Sequence, residues 1–299
     1  MTKTHEESVP ARQPGYQATR RTFLHALAGG MGAAALVTLV GCSDDAATTS
    51  DFGGGGDSGG GGDSSTSADS ATGSDAQSGS WATGGTASMT AKANYPDPFG
   101  SAATACALVA TTTEGPCTNS GDVVREDISE SWGGLPVRFA LQVVDSSCSP
   151  VVGATVKIWH TNREGSYSGQ TPNNGMCLKD QNYSSQTFFR GTQTTDSDGK
   201  VFFDTCFPGW YSSRAIHIHF QVSDGTSTSR VSQLFFPEDV TSEIFSSHAD
   251  YSSYGQPDTS HAADTILSQI AAGERERHIL TVARMSDGAM LASKVVAVV

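Results

Sequence analysis

The chain has 299 residues, 37% of them hydrophobic, with 33 glycines and a formal net charge of −13 from 18 basic and 31 acidic side chains. That balance argues against a nucleic-acid partner, because phosphate binding needs a basic face. Coiled coil, polytopic membrane protein and collagen-like repeat are excluded as well.

Residues 1–42 read as an address. Thr19-Arg20-Arg21-Thr22-Phe23-Leu24 is a twin-arginine pattern, and the apolar run from Ala26 to Val40 behind it is too short and too glycine-rich for a membrane span. It ends in Leu39-Val40-Gly41-Cys42, which resembles a bacterial lipobox, whose cysteine is lipidated and becomes the mature N-terminus. The alternative is an uncleaved signal anchor with an incidental cysteine. Residues 43–93 follow, almost wholly Gly, Ser, Asp, Thr and Ala from Asp44 to Ala93. Such a segment buries too little apolar surface to offset its chain entropy and reads as a disordered tether. Contact with a membrane is thus expected only through an N-terminal lipid anchor, with the protein exported to the periplasm or cell surface. Residues 94–299 are the size of one domain.

With Cys42 assigned to lipid, Cys106, Cys117, Cys148, Cys177 and Cys206 remain for an oxidising compartment. Their number is odd, so at least one thiol is unpaired or bonded between chains. Their spacing matches neither a zinc ribbon nor a redox pair and leaves the connectivity open.

Within residues 94–299 apolar residues alternate. In Pro136 to Asp145, Val137, Phe139, Leu141 and Val143 share one face while Arg138 and Gln142 share the other, the period of a half-buried strand. Similar runs are Ala154 to His160, Lys200 to Cys206, Ala215 to Val222, Ser229 to Phe236, His278 to Arg284 and Ser293 to Val299, parted by turn signals such as Asp198-Gly199. Only Asp239 to Ser246 and Ala262 to Ala272 look helical. Many short strands with few short helices predict an all-β fold, a β-sandwich.

The richest stretch is Pro208-Gly209-Trp210-Tyr211-Ser212-Ser213-Arg214-Ala215-Ile216-His217-Ile218-His219-Phe220. Residues two apart in a strand share a face, so His217 and His219 aim to one side and can chelate one metal ion. Tyr211 and Arg214 precede them, and Trp159-His160 leads through Gly165-Ser166-Tyr167-Ser168-Gly169 upstream.

With Thr113-Glu114-Gly115-Pro116, Gly134-Leu135-Pro136, Gly153-Ala154 through Trp159-His160, and Phe189-Arg190-Gly191, these stretches resemble the intradiol ring-cleavage dioxygenases, in family order and closest to their secreted single-domain branch. The resemblance implies an Fe(3+) cofactor held by Tyr167, Tyr211, His217 and His219, with Tyr211 and His219 axial. It implies a small aromatic diol and O2 as substrates and a muconate-type diacid as product. Phenolates are hard anionic donors suited to iron(III). Tyr211 is expected to act as a base towards the diol, Arg214 to stabilise charge on the ring, and Gln233 to border the same pocket. Cys117 stands where the family usually has an aromatic residue, which suggests a disulfide near the pocket mouth. Trp159 and His160 are expected to pack below the site. His248, His261 and His278 are expected at the surface or in loops, and Tyr183, Tyr251 and Tyr254 fall outside any motif. Two other functions compatible with the sequence are a non-catalytic module binding aromatics or carbohydrate, and a copper or zinc site made from the histidines alone.

Overall fold

A computed structural model describes residues 79–100, 106, 108–119, 123–223, 225 and 229–298. The twin-arginine stretch, Cys42 and the tether as far as residue 78 lie outside these residues. The alternating runs become two four-stranded sheets. One contains β1 (Pro136–Val144), β4 (Lys200–Cys206), β7 (Thr281–Arg284) and β8 (Met290–Ala297) in the order β4-β1-β8-β7. The other contains β2 (Thr155–Trp159), β3 (Arg190–Thr194), β5 (His217–Ser223) and β6 (Ser229–Phe235) in the order β3-β2-β5-β6. All pairs are antiparallel except β1 with β8.

The inner faces share one core. Val137, Phe139, Leu141 and Val143 of β1 meet Val156 and Ile158 of β2, Ile218 and Phe220 of β5 and Leu234 of β6, all nearly or fully buried. Strict alternation on β5 therefore sends Ile218, Phe220 and Val222 inward and leaves His217 and His219 on the opposite face. That face is also buried, because the long β2–β3 and β4–β5 connections fold over it.

Four features differ from the expectations. β3 carries no apolar alternation, and its pairing with β2 makes it a strand. Gly191 is needed within it, since a Cβ there would lie only 2.4 Å from Ile128 Cγ2. Asp239 to Ser246 does form α1 (Glu238–Ser247), but the stretch Ala262 to Ala272 makes only 3-10 turns at Leu267–Gln269 and Ala272–His278. There Asp264 takes the N–H groups of Ile266 and Leu267, while Arg275 takes the carbonyls of Ser268 and Ile270. Those side-chain bonds replace part of an α-helical ladder. His278 is buried at the end of a 3-10 turn rather than superficial, and His248, in the loop after α1 as expected, is buried as well; each has both ring nitrogens engaged, His248 by Ala82 O and the Asp250 N–H, His278 by Gln233 O and the Ala110 N–H. Finally, residues 79–93, which composition groups with the tether, lie along the sandwich. The Ala82 N–H donates to Gly288 O, and Arg284 stacks 4.0 Å over the Trp81 ring.

The cysteines resolve into Cys106–Cys148 and Cys117–Cys177, leaving Cys206 free. Burial pushes the Cys206 thiol up to about 12, so it is an inert core side chain.

Tyr251, fully buried, donates its hydroxyl to Phe207 O at 2.6 Å and ties the segment after α1 to the chain approaching Tyr211. Tyr251→Phe should cost about 1–3 kcal/mol by leaving that carbonyl unpaired. Urea unfolding monitored by fluorescence measures it, and an unchanged midpoint would show the bond to be unimportant.

Candidate metal centre

The site is built on one cross-strand rung of the second sheet. Arg190 on β3 pairs with Trp159 on β2, Trp159 with His219 on β5, and His219 with Gln233 on β6. Residues on one rung point the same way, so all four project from the face away from the core. Trp159 stacks on His219 with ring centres 4.8 Å apart and planes 10° from parallel, fixing the imidazole.

Two loops bring the phenols over this floor. Tyr167 lies in the β2–β3 connection, where its N–H donates to Cys177 O at 2.7 Å. Tyr211 lies between β4 and β5. The two loops lock backbone to backbone: the Gly209 N–H donates to Asn162 O at 3.0 Å, and Thr161 Oγ1 donates to Gly209 O at 2.6 Å. Only glycine permits this approach. A Cβ on Gly209 would sit 2.3 Å from Arg163 O, and one on Gly165 2.0 Å from Trp210 O.

All four residues expected to ligate metal are thereby brought together. Tyr167 Oη lies 3.3 Å from Tyr211 Oη, 3.4 Å from His217 Nε2 and 3.2 Å from His219 Nε2. His217 Nε2 lies 3.3 Å from Tyr211 Oη and 3.2 Å from His219 Nε2. Atoms spaced in this way are corners of a polyhedron whose centre is about 2 Å from each, the usual bond length from a first-row transition ion to nitrogen or oxygen. His217 Nδ1 donates to Ala215 O at 2.6 Å, so its Nε2 carries the lone pair that faces the others. Two nitrogens with two phenolic oxygens form a donor set for a hard, highly charged ion. Among the described residues no group of three or more His, Cys, Asp and Glu side chains offers another metal site.

Burial sets the charge state. Desolvation raises the Tyr167 phenol well above its ordinary value and raises that of Tyr211, and it holds both imidazoles well below theirs. The metal-free donor set is therefore neutral near pH 7. Two cations favour the phenolate forms. Arg214 directs Nη1 to Tyr211 Oη at 3.4 Å and Nη2 to Gln233 Oε1, while Gln233 Nε2 donates to Thr113 O at 3.2 Å. Arg190, a member of the Phe189-Arg190-Gly191 motif, lies 5.8 Å from the Tyr167 ring centre. It donates Nη2 to Cys117 O and Ser168 O, both at 2.7 Å. Burial lowers Arg190 only to about 10, so it stays cationic at neutral pH.

Trp159 and His160 do pack below the site, the latter fully buried between Thr161 O and Thr205 Oγ1. Cys117 pairs with Cys177, tying the Thr113 to Pro116 loop to the strand of backbone that holds Tyr167. A cleft of about 610 Å³ lies outside the donor set, bounded by Arg163, Met176, Lys179, Trp210 and Tyr254 among others. Tyr211 alone of the four donors lines it.

Comparison with known proteins identifies the family of the chain. A family model described as dioxygenase matches residues 112–265, about half of the chain. A solved intradiol ring-cleavage dioxygenase from Tetranychus urticae is 28% identical with a TM-score of 0.56, over 64% of this chain and 94% of that one. A second solved dioxygenase is 29% identical with a TM-score of 0.55 over the same shares. Among curated proteins, a chlorocatechol 1,2-dioxygenase from Rhodococcus opacus is 27% identical over 125 residues, 36% of this chain and 45% of that protein. The match thus spans less than half the length of that curated relative.

Two measurements test the site as described. Metal uptake through oxygen must expel a proton from each phenol, so apparent affinity for ferric ion in competition with a chelator should rise steeply from about pH 6 to pH 8. An affinity independent of pH after correction for the chelator would exclude phenolate donors. Replacing both Cys117 and Cys177 by serine should cost about 2–4 kcal/mol of stability in chemical unfolding, and should weaken metal retention by freeing the loop beside His219.

Proposed function

The chain belongs to the intradiol ring-cleavage dioxygenases, and from that premise we propose that it is an iron(III) enzyme that opens a catechol-type ring between its hydroxyl-bearing carbons, adding both atoms of O2 to give a cis,cis-muconate-type diacid. The observation that carries this reading is the close approach of two phenolic oxygens and two imidazole nitrogens, spaced 3.2–3.4 Å for every separation given above.

In this reading Tyr167, Tyr211, His217 and His219 hold the ion. When bound, iron(III) supplies Lewis acidity and an electron acceptor that draws density from the ring and makes it reactive towards O2. The protein does the rest. Tyr211 is the more accessible phenol, 7% exposed against 1% for Tyr167, and it borders the cleft. In this reading its oxygen is the one that would accept the proton of a substrate hydroxyl. Arg214, 3.4 Å from the same oxygen, stabilises negative charge that develops on the ring beside it. Gln233 is fully buried and does not line the cleft; held between Arg214 and Thr113 O, its amide has a fixed orientation and steadies the Arg214 guanidinium. Trp159, packed flat on His219, keeps that imidazole from turning away.

We further propose that the protein works outside the cytoplasm on a lipid tether. Thr19 to Leu24 and the Leu39 to Cys42 sequence support this, as do two disulfides, which persist in oxidising compartments.

The iron-loaded protein should show a visible phenolate-to-metal absorption band that shifts when catechol is added without oxygen. It should consume O2 with catechols and yield the intradiol rather than the extradiol product. Tyr167→Phe and Tyr211→Phe should each lower kcat/KM by about 100-fold or more. A colourless protein that retains zinc, or undiminished oxygen uptake in both variants, would refute the assignment.

A further inference from the structure

Arg214 does not float in the pocket; its direction is imposed by a carboxylate. Asp264 is fully buried, and its Oδ2 accepts from Arg214 Nε at 2.9 Å and from the Ala215 N–H at 2.8 Å. Its Oδ1 accepts the N–H groups of Ile266 and Leu267 at 2.9 and 2.8 Å. Three of the four bonds to this carboxylate thus come from backbone N–H groups, and the fourth is the one to Arg214. The backbone holds the carboxylate, and the carboxylate in turn holds the edge of the guanidinium. With Nε committed, planarity fixes the other two nitrogens, which then face Tyr211 Oη and Gln233 Oε1. The same Oδ2 also pins the residue at which the chain turns into β5, and the Ala215 carbonyl is the acceptor that sets the His217 tautomer.

We propose that Asp264 is a positioning residue for ring cleavage: by clamping Arg214 through Nε, it aims Nη1 at the Tyr211 phenol oxygen and Nη2 at Gln233. The assignment rests on the reading of Arg214 given above as the group that stabilises charge on the ring. Asp264 bonds to neither Tyr211 nor Gln233 and in this proposal reaches the ring chemistry through Arg214. Without it a long, flexible side chain would have several competing acceptors and would spend little time in the productive direction. A displacement of about 1 Å is enough to lose most of such a contribution.

The test compares iron-loaded wild type, Asp264→Asn, Arg214→Gln and the double variant, with catechol as substrate. Asp264→Asn is expected to lower kcat about 100-fold, the size of effect seen when one charge-stabilising donor is lost, with KM changed less than about threefold. In the Arg214→Gln background the same substitution should cost less than about twofold, because residues acting as a unit are not additive. An equal loss in both backgrounds, a change confined to KM, or wild-type kcat in Asp264→Asn would overturn the proposal. Crystal structures of metal-free wild type and Asp264→Asn provide a second readout that needs no activity. Arg214 Nη1 should leave Tyr211 Oη by more than about 1 Å, and an unmoved guanidinium would overturn the proposal as well. If the wild type cleaves no catechol, the enzymatic reading fails, while the pair of crystal structures still decides the positioning role. Should Asp264→Asn fail to fold, Asp264→Glu, which keeps the charge and shifts it by one methylene, undergoes the same comparison.

Discussion

A single rung of hydrogen-bonded backbone carries the floor on which the site is assembled. Because Arg190, Trp159, His219 and Gln233 are register partners across four strands, their side chains rise from the sheet side by side at fixed spacing. A slip of one residue in any of these pairings would turn the member it carries into the apolar core and a core residue out towards the phenols. The sandwich interior resists that slip, since Ile158, Ile218 and Leu234 occupy it on the same strands. Precision at the polar face is thus inherited from hydrophobic packing at the other.

The site also shows how a buried polar centre is kept tolerable in the absence of a full set of charges. Two phenols and two imidazoles are all neutral when desolvated, so folding does not have to bury isolated ions among them. The permanent charges nearby are managed individually. Arg214 faces the buried Asp264, whereas Arg190 spends its hydrogen bonds on carbonyl and hydroxyl oxygens, leaving its positive field directed at the Tyr167 ring. The field is present before any anion forms, which is how a low-dielectric site favours ionisation it does not itself undergo.

Much of this was legible in the chain. Alternation on β1 and β5 announces both the sandwich and the common face of His217 and His219, because strand periodicity is local information. Tyr167 and Tyr211 carry no periodic signal, as they sit on loops, and they stand out only through resemblance to a family. Arg190 and Asp264 were missed as working residues for related reasons. Each acts across a long sequence separation, Arg190 on the carbonyl of Cys117 and Asp264 on the side chain of Arg214. The region from Ala262 to Ala272 has helical apolar spacing, yet its polar side chains intercept the backbone bonds a helix needs. His248 and His278 look like surface residues because histidine is ambiguous in sequence, and only the partners that satisfy both ring nitrogens allow burial. The pairing of cysteines was equally hidden, since spacing along the chain says little about distance between loops.

β8 occupies an inner place in its sheet, flanked by β1 in parallel and by β7. It follows every other strand in the chain, more than 140 residues after β1 begins. During synthesis the first sheet therefore has a gap between its earliest and its later members until residues 290–297 have cleared the ribosome. Closure of that sheet waits on a pairing across more than 140 residues, a long-range contact that is intrinsically slow to form.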